Sequence, residues 1–237
     1  MVTTTGLRNR CADYKFLARR AALAAAALIA GVQLAACSTS SLLDSEIPVP
    51  TNYVIAPLPP ATSATASAGS HVDLAIGRPD VAPGLDTQRI AVLRGRELDY
   101  FRRVQWSGTT QELVQAFLVH SLQDQLLFRS VTAEQARVAG PYILDTEVRD
   151  FQAEYVPGRS APRVRVTIVG RLVRVADRRL VATIPATATR ECDDNRMSVV
   201  AQAFESAAHE VARKLAHETA AAIAQDREQL SKSDTSQ

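Results

Sequence analysis

Arg163-Val164-Arg165-Val166-Thr167-Ile168 opens a run that continues to residue 176, and its reading decides the fold. Val164, Val166 and Ile168 alternate with Arg163, Arg165 and Thr167, the period-two pattern of a strand with one apolar and one wet face. The run follows a Pro157-Gly158 turn and precedes an Asp177-Arg178-Arg179 turn. β-rich stretches lie on either side, over residues 142–155 and 180–190. Three such runs joined by short turns predict an antiparallel meander.

Residues 198–225 follow, with a different period. Val200, Phe204, Ala207, Ala208, Val211, Leu215 and Ala222 fall on one helical stripe, and Glu205, Arg213, Lys214 and Glu218 lie off it. This pattern predicts an amphipathic helix laid on the meander. Upstream, short β-like runs are expected at 52–58, 72–77, 89–93 and 97–106, broken by Pro79, Pro83, Gly84, Gly95 and Gly108. Thr109 or Thr110 can cap a helix reaching to about Leu127, whose apolar residues are numerous enough to predict cover on two sides. Residues 128–132 read as a short returning strand. The fold class that follows is α+β: a mixed, largely antiparallel sheet with two main helices on one face, in a single domain.

The N-terminus has a different character. Arg8, Arg10, Lys15, Arg19 and Arg20 form a basic leader with one acid, Asp13, followed by an apolar run over residues 21–36. That run is shorter than the ~20 residues a helix needs to cross a bilayer and has the layout of an export signal. Leu34-Ala35-Ala36-Cys37 resembles the lipobox read by lipoprotein signal peptidase. The resemblance implies cleavage before Cys37, alkylation of its thiol with diacylglycerol and acylation of the new N-terminus. Burying acyl chains stabilises by about 0.8 kcal/mol per CH₂, and two chains anchor stably where one does not. Residue 38 is Ser rather than Asp; by resemblance to enterobacterial lipoproteins this points to the outer membrane, facing the periplasm. The expected organisation is a signal peptide at 1–36, a lipidated tether at 37–50, the domain at 51–225 and a polar, disordered tail at 226–237.

Five of the 27 basic and one of the 25 acidic residues lie in the leader, leaving 22 against 24 and a formal charge of −2 in the processed chain. Nothing in that balance points to nucleic acid. Once Cys11 is removed and Cys37 is lipidated, Cys192 is the remaining thiol and an intramolecular disulfide is excluded.

Order along the chain also resembles that of the ABC-type transport auxiliary lipoproteins, the family of the paraquat-inducible lipoprotein component. The shared features are the Tyr-containing segment Asn52-Tyr53-Val54-Ile55-Ala56-Pro57-Leu58, an Ile76-Gly77 strand end, Leu85-Asp86-Thr87-Gln88-Arg89-Ile90-Ala91-Val92, the Leu98, Tyr100 and late Trp106 of the next strand, and Pro141-Tyr142-Ile143-Leu144 with Phe151. Gly84 departs from an aromatic in the bend, and Arg78 from the family's Pro-Val after Ile-Gly. The resemblance implies a non-catalytic partner of an ABC permease and ATPase and of an MCE-type substrate-binding protein in lipid transport, with self-association into a homo-oligomer left open. An alternative is a structural or assembly lipoprotein of another outer-membrane complex.

Catalytic and metal motifs are not found. There is no G-x-x-x-x-G-K-[ST] loop, G-x-S-x-G elbow or H-E-x-x-H pair. His209 and His217 stand about two turns apart on the last helix, too far for one metal without a third element. Glu191-Cys192-Asp193-Asp194-Asn195 lacks the ligand order of a calcium loop and reads as a polar turn before that helix. The expectation is therefore no enzyme, no cofactor and no metal. Tyr100, Phe101 and Trp106 are the aromatic cluster expected to contact a partner.

Overall fold

The computed structural model describes residues 49–61, 70–136 and 140–235. The described strands are β1 (Thr51–Tyr53), β2 (Ser70–Ile76), β3 (Asp80–Val81), β4 (Arg89–Arg94), β5 (Glu97–Trp106), β6 (Phe128–Ala133), β7 (Tyr142–Tyr155), β8 (Arg163–Arg174) and β9 (Arg179–Glu191); the helices are α1 (Thr110–Asp124) and α2 (Met197–Thr235). Leu34, Ala35, Ala36 and Cys37, with the whole expected signal peptide, lie outside the described residues.

Strand β7 organises the sheet. One edge pairs antiparallel with β8 from Tyr142↔Arg174 to Glu154↔Arg163, and β8 pairs in turn with β9. This is the meander the alternation predicts. The other edge of β7 is shared by three short parallel strands: β2 at Tyr142–Leu144, β3 at Glu147–Val148 and β4 at Gln152–Tyr155. The sheet forks there, β6 extending β2 in parallel, and β5 extending β4 in antiparallel with β1 beyond it. The two long ladders of β8 are antiparallel, whereas β2, β3 and β4 reach β7 in parallel and only briefly, each parallel neighbour needing a crossover.

The apolar face of β8 meets α2. Val164, Val166, Ile168 and Leu172 are buried, and a Cβ at Gly170 would stand 3.0 Å from Leu144 Cδ1 and 3.1 Å from Leu215 Cδ2. Glycine there, with Ala203, Ala207, Ala208, Ala212 and Ala216 on the helix, lets α2 lie close to the sheet. Phe204 centres the core: its ring meets Trp106 at 5.1 Å and 85° and Phe151 at 5.2 Å, and Trp106 meets Phe151 at 5.6 Å. Edge-on and tilted pairs of this kind suit the ring quadrupole.

Helix α1 starts at a capping box. Glu112 N donates to Thr109 Oγ1 at 3.3 Å, and Thr109 N donates to Glu112 Oε2 at 3.0 Å. It stops before Leu127, since Leu126 adopts a left-handed φ of 57°. Its buried positions, among them Val114, Phe117, Leu118 and Leu122, make one face, while Leu113 and Val119 are half-buried and Ala116 is exposed. The expected cover on two sides is therefore one covered face with apolar borders.

Three expectations need correction. The 52–58 run forms a strand only through Tyr53. Residues 54–61 instead cross the helices as a strap, with Ile55 and Leu58 buried. The strap's backbone is satisfied by helix groups: Ala56 N donates to Glu205 Oε2 (2.9 Å), Ala56 O lies 2.9 Å from His209 Nε2, and Leu58 N donates to Ser121 Oγ (2.9 Å). Asp80 and Val81 pair with β7 where a turn is expected. Finally, α2 runs on through Thr235, so most of the expected tail at 226–237 is helical. The cause is Asp226, which is buried under Tyr142 and Arg174 and carries the stripe one turn further; Ile223 is buried in that stripe, whereas Ala222 is half-buried.

Candidate functional site

Trp106, expected at a contact surface, is 1% exposed and belongs to the core. Its last-in-strand position places it beneath α2, where the Phe151 and Phe204 rings close over it. Tyr100 and Phe101 stay half-buried on β5. Tyr100 is held firmly: its hydroxyl donates to Gly84 O at 2.8 Å, and the Arg89 guanidinium lies 3.9 Å above its ring. A left-handed φ of +82° at Gly84 makes that close approach.

Beyond Tyr100 the β4–β5 ladder breaks. Register passes from Ala91↔Tyr100 to Arg89↔Gln105, so Ile90 stands against residues 101–104 of β5. Arg103 at the break has φ 61°. Such a bulge re-aims side chains and ends regular pairing. Phe101 here is half-buried, with Arg102 and Arg103 exposed beside it. β1 covers β5 only at Val104–Trp106, so among the described residues the outer edge of β5 before Val104 has no strand partner. At the opposite edge of the sheet, β9 carries Pro185, which removes a donor and blunts that edge.

On the sheet face away from the helices, a cleft of about 460 Å³ opens between the β4–β5 turn and the upper part of β7 and β8. Glu154, 8% exposed, forms its floor. Arg163 Nε donates to Glu154 Oε2 at 2.9 Å. Arg165 Nε lies 2.9 Å from Oε1 but off-line, its aligned hydrogen bond running from Nη2 to Oε2 at 3.3 Å. Gln152 Nε2 donates to Asp150 Oδ1 at 3.0 Å and its Oε1 accepts from Phe151 N at 2.7 Å. The carboxylate and amide groups of the cleft are paired with one another, and Arg165 Nε alone among its buried polar atoms lacks an aligned hydrogen bond, which makes the cleft chiefly a structural network.

A second network closes the other end of the sheet. Tyr142 Oη donates to Asp226 Oδ2 at 2.7 Å, and Arg174 Nη1 reaches both oxygens of Asp226 at 2.9 Å while Nη2 donates to Asp177 at 2.7 Å. Burial, then the Asp226 carboxylate, pushes the Tyr142 phenol up to about 12. The Arg174 guanidinium holds Asp177 down at about 2. Sequence reading missed this network, although an acid at Asp226, in register with the Val200–Ile223 stripe, is the signal that could have found it.

The remaining reactive groups are dispersed. His209 clamps the strap and stacks on Phe117 at 6.0 Å, whereas His120 and His217 are exposed. Cys192 is buried, its thiol pushed up by burial and by Glu191 and Asp193; this is the reverse of an activated nucleophile. In the Glu191–Asn195 turn, Asp194 accepts from Arg196 N at 3.0 Å. Among the described residues no three of His, Cys, Asp and Glu converge on a metal position, and no helix is long and apolar enough to cross a membrane.

The class these features define is a single α+β domain, a mixed nine-stranded sheet with two helices, whose polar clusters are internally paired and whose β5 edge is open. The chain belongs to the ABC-type transport auxiliary lipoprotein component family, whose model matches residues 53–216. It is similar to the solved structure of protein XCC0632 from Xanthomonas campestris, with 24% identity and a TM-score of 0.67 over 75% of this chain and 99% of that one. A second solved structure, of an uncharacterized protein, aligns with 14% identity and a TM-score of 0.57 over 72% of this chain and 98% of that one. No curated protein matches the chain. The family is an auxiliary transport component with an envelope association, in line with the order of segments from Asn52 to Phe151.

Proposed function

We propose that this chain is a non-catalytic auxiliary subunit of an ABC/MCE-type transporter that moves lipids across the cell envelope, held by lipid on Cys37 to the outer membrane with its domain in the periplasm. The observation that carries the reading is the family match over residues 53–216, which takes in the sheet, α1 and the first half of α2. The Leu34-Ala35-Ala36-Cys37 lipobox supports the anchor, and Ser38 supports the outer membrane. Partners are an MCE-type substrate-binding protein and the ABC permease and ATPase.

Contact falls on the open part of β5. An unpaired strand edge can accept a strand from a partner through main-chain hydrogen bonds, and Tyr100 and Phe101, with Arg102 and Arg103 in the bulge, supply side-chain specificity. The test is crosslinking and purification of the lipidated protein from its own envelope. An MCE-type protein is expected to co-purify, and Phe101→Ala combined with Arg102→Glu is expected to lower its recovery while the melting temperature holds. Repeated recovery of an unrelated complex, without MCE protein or permease, points instead to a structural or assembly lipoprotein.

A further inference from the structure

Below the Tyr142–Asp226 network, a cleft of about 390 Å³ lies between the lower ends of β2, β6, β7 and β8 and the last turns of α2. Val72, Pro141, Ala176 and Leu230 line it with apolar surface. Leu230 is 39% exposed. An exposed leucine at the lip of a concavity lined by Val72, Pro141 and Ala176 fits the uptake of apolar material. The size falls at the lower end of the roughly 300–1,000 Å³ of small-molecule sites, room for one chain rather than several.

The rim carries three arginines and one acid, Asp73, and part of the positive charge is unspent. Three guanidiniums line the cleft, from Arg129, Arg174 and Arg227. Arg174 is committed to Asp177 and Asp226. Arg129 is paired with Asp73, which also accepts from Ser130 Oγ at 2.6 Å, yet the Arg129 side chain keeps 63% of its surface in solvent. Arg227 is exposed and makes no hydrogen bond or ion pair among the described residues. It stands on α2 one turn from Leu230, so both reach the same side of the helix. A free guanidinium beside an apolar slot matches an anionic head followed by a hydrocarbon chain.

We propose that this cleft binds a single-chain anionic amphiphile, its head on Arg227 with Arg129 alongside and its chain laid under Leu230 against Val72, Pro141 and Ala176. For its biological setting the proposal rests on the lipid-transport reading above. A fatty-acid carboxylate and a lysophospholipid phosphate share the required chemistry, and separate probes distinguish them.

The experiment uses the full lipidated chain in phosphatidylcholine nanodiscs, with photoactivatable analogues of palmitate, lysophosphatidylglycerol and lysophosphatidylcholine and mass-spectrometric mapping of the crosslinks. One or both anionic probes are expected to label peptides carrying Pro141, Ala176 and Leu230. Arg227→Glu is expected to weaken that labelling at least ten-fold, Arg227→Gln by less, and Leu230→Trp to displace it by filling the slot. Both positions are exposed, and an unchanged melting temperature confirms that the variants fold. Labelling spread evenly over the surface, equal labelling by the zwitterionic probe, or indifference to Arg227→Glu overturns the proposal. The same Arg227→Glu protein is taken through the envelope purification. MCE protein recovered without cleft labelling in the wild type refutes the cleft alone; labelling without MCE protein refutes the transporter reading alone.

Discussion

Phe204 is fully buried, with the ring of Trp106 at 5.1 Å on one side and that of Phe151 at 5.2 Å on another. Replacing it with alanine empties a space whose walls are two rigid rings and a paired sheet, so little collapse can refill it. Phe→Ala in a core costs about 3–5 kcal/mol, and the poor relaxation places Phe204→Ala in the upper part of that range. For a domain of this size 1 kcal/mol lowers the melting temperature by about 2–4 °C, so a cost of about 4 kcal/mol predicts a drop of roughly 8–16 °C. Thermal unfolding followed by near-ultraviolet circular dichroism reads it, because Trp106 reports on the same cluster. Lys214→Ala is the control: its side chain is 46% exposed and its Glu218 partner is 3.9 Å away, a surface pair worth under about 1 kcal/mol. Drops of equal size in the two variants would show that α2 is not seated on the Trp106–Phe151 cluster, and the packing described above would fall with it.

Further expectations concern the lower network, the helix approach and the anchor. Because the folded Tyr142 phenol titrates at about 12 against an ordinary value of 10.0, its stabilising contribution is full below pH 10 and is lost as pH rises towards 12; Tyr142→Phe should flatten the alkaline limb of a pH–melting curve, and an unchanged limb refutes the assignment. Asp177, held at about 2 against 3.8, acts in the opposite sense: its contribution is full above pH 3.8 and fades as pH falls towards 2, and Asp177→Asn should remove that acid dependence. Gly170→Val drives a side chain at Leu144 and Leu215 and should cost about 1–3 kcal/mol by overpacking; a melting temperature at or above wild type overturns the close approach of α2. Cys37→Ser should leave an unprocessed precursor without acyl label, and a mature-sized, labelled product from that variant would sink the lipobox.

Local pattern was legible from the chain alone. Alternation from Arg163 to Ile168 specified β8 and its buried face, since a strand's two faces follow from backbone pleat whatever lies beside it. The 3.6-residue stripe from Val200 to Leu215 did the same for α2, and Thr109 or Thr110 marked the start of α1, the structure choosing Thr109. The family order from Asn52 to Phe151 could likewise be read, because it depends on residues taken in sequence.

What tertiary structure alone decided depends on partners far away along the chain. Trp106 carries the same local signal whether it ends a strand at the surface or under a helix; only the arrival of Phe204 on α2 places it inside. Asp226 reads as the first residue of a polar tail until Tyr142 and Arg174, 84 and 52 residues away, turn a buried carboxylate into an anchor that carries the helix on to Thr235. The forking of the sheet along one edge of β7 is of the same kind: β2, β3 and β4 are each too short to declare a neighbour, and their order is set by which stretch of β7 still has free backbone groups to offer. Periodicity is a property of adjacent residues, whereas burial of a tryptophan, neutralisation of a carboxylate and choice of a strand partner are properties of residues that meet only after the chain has folded.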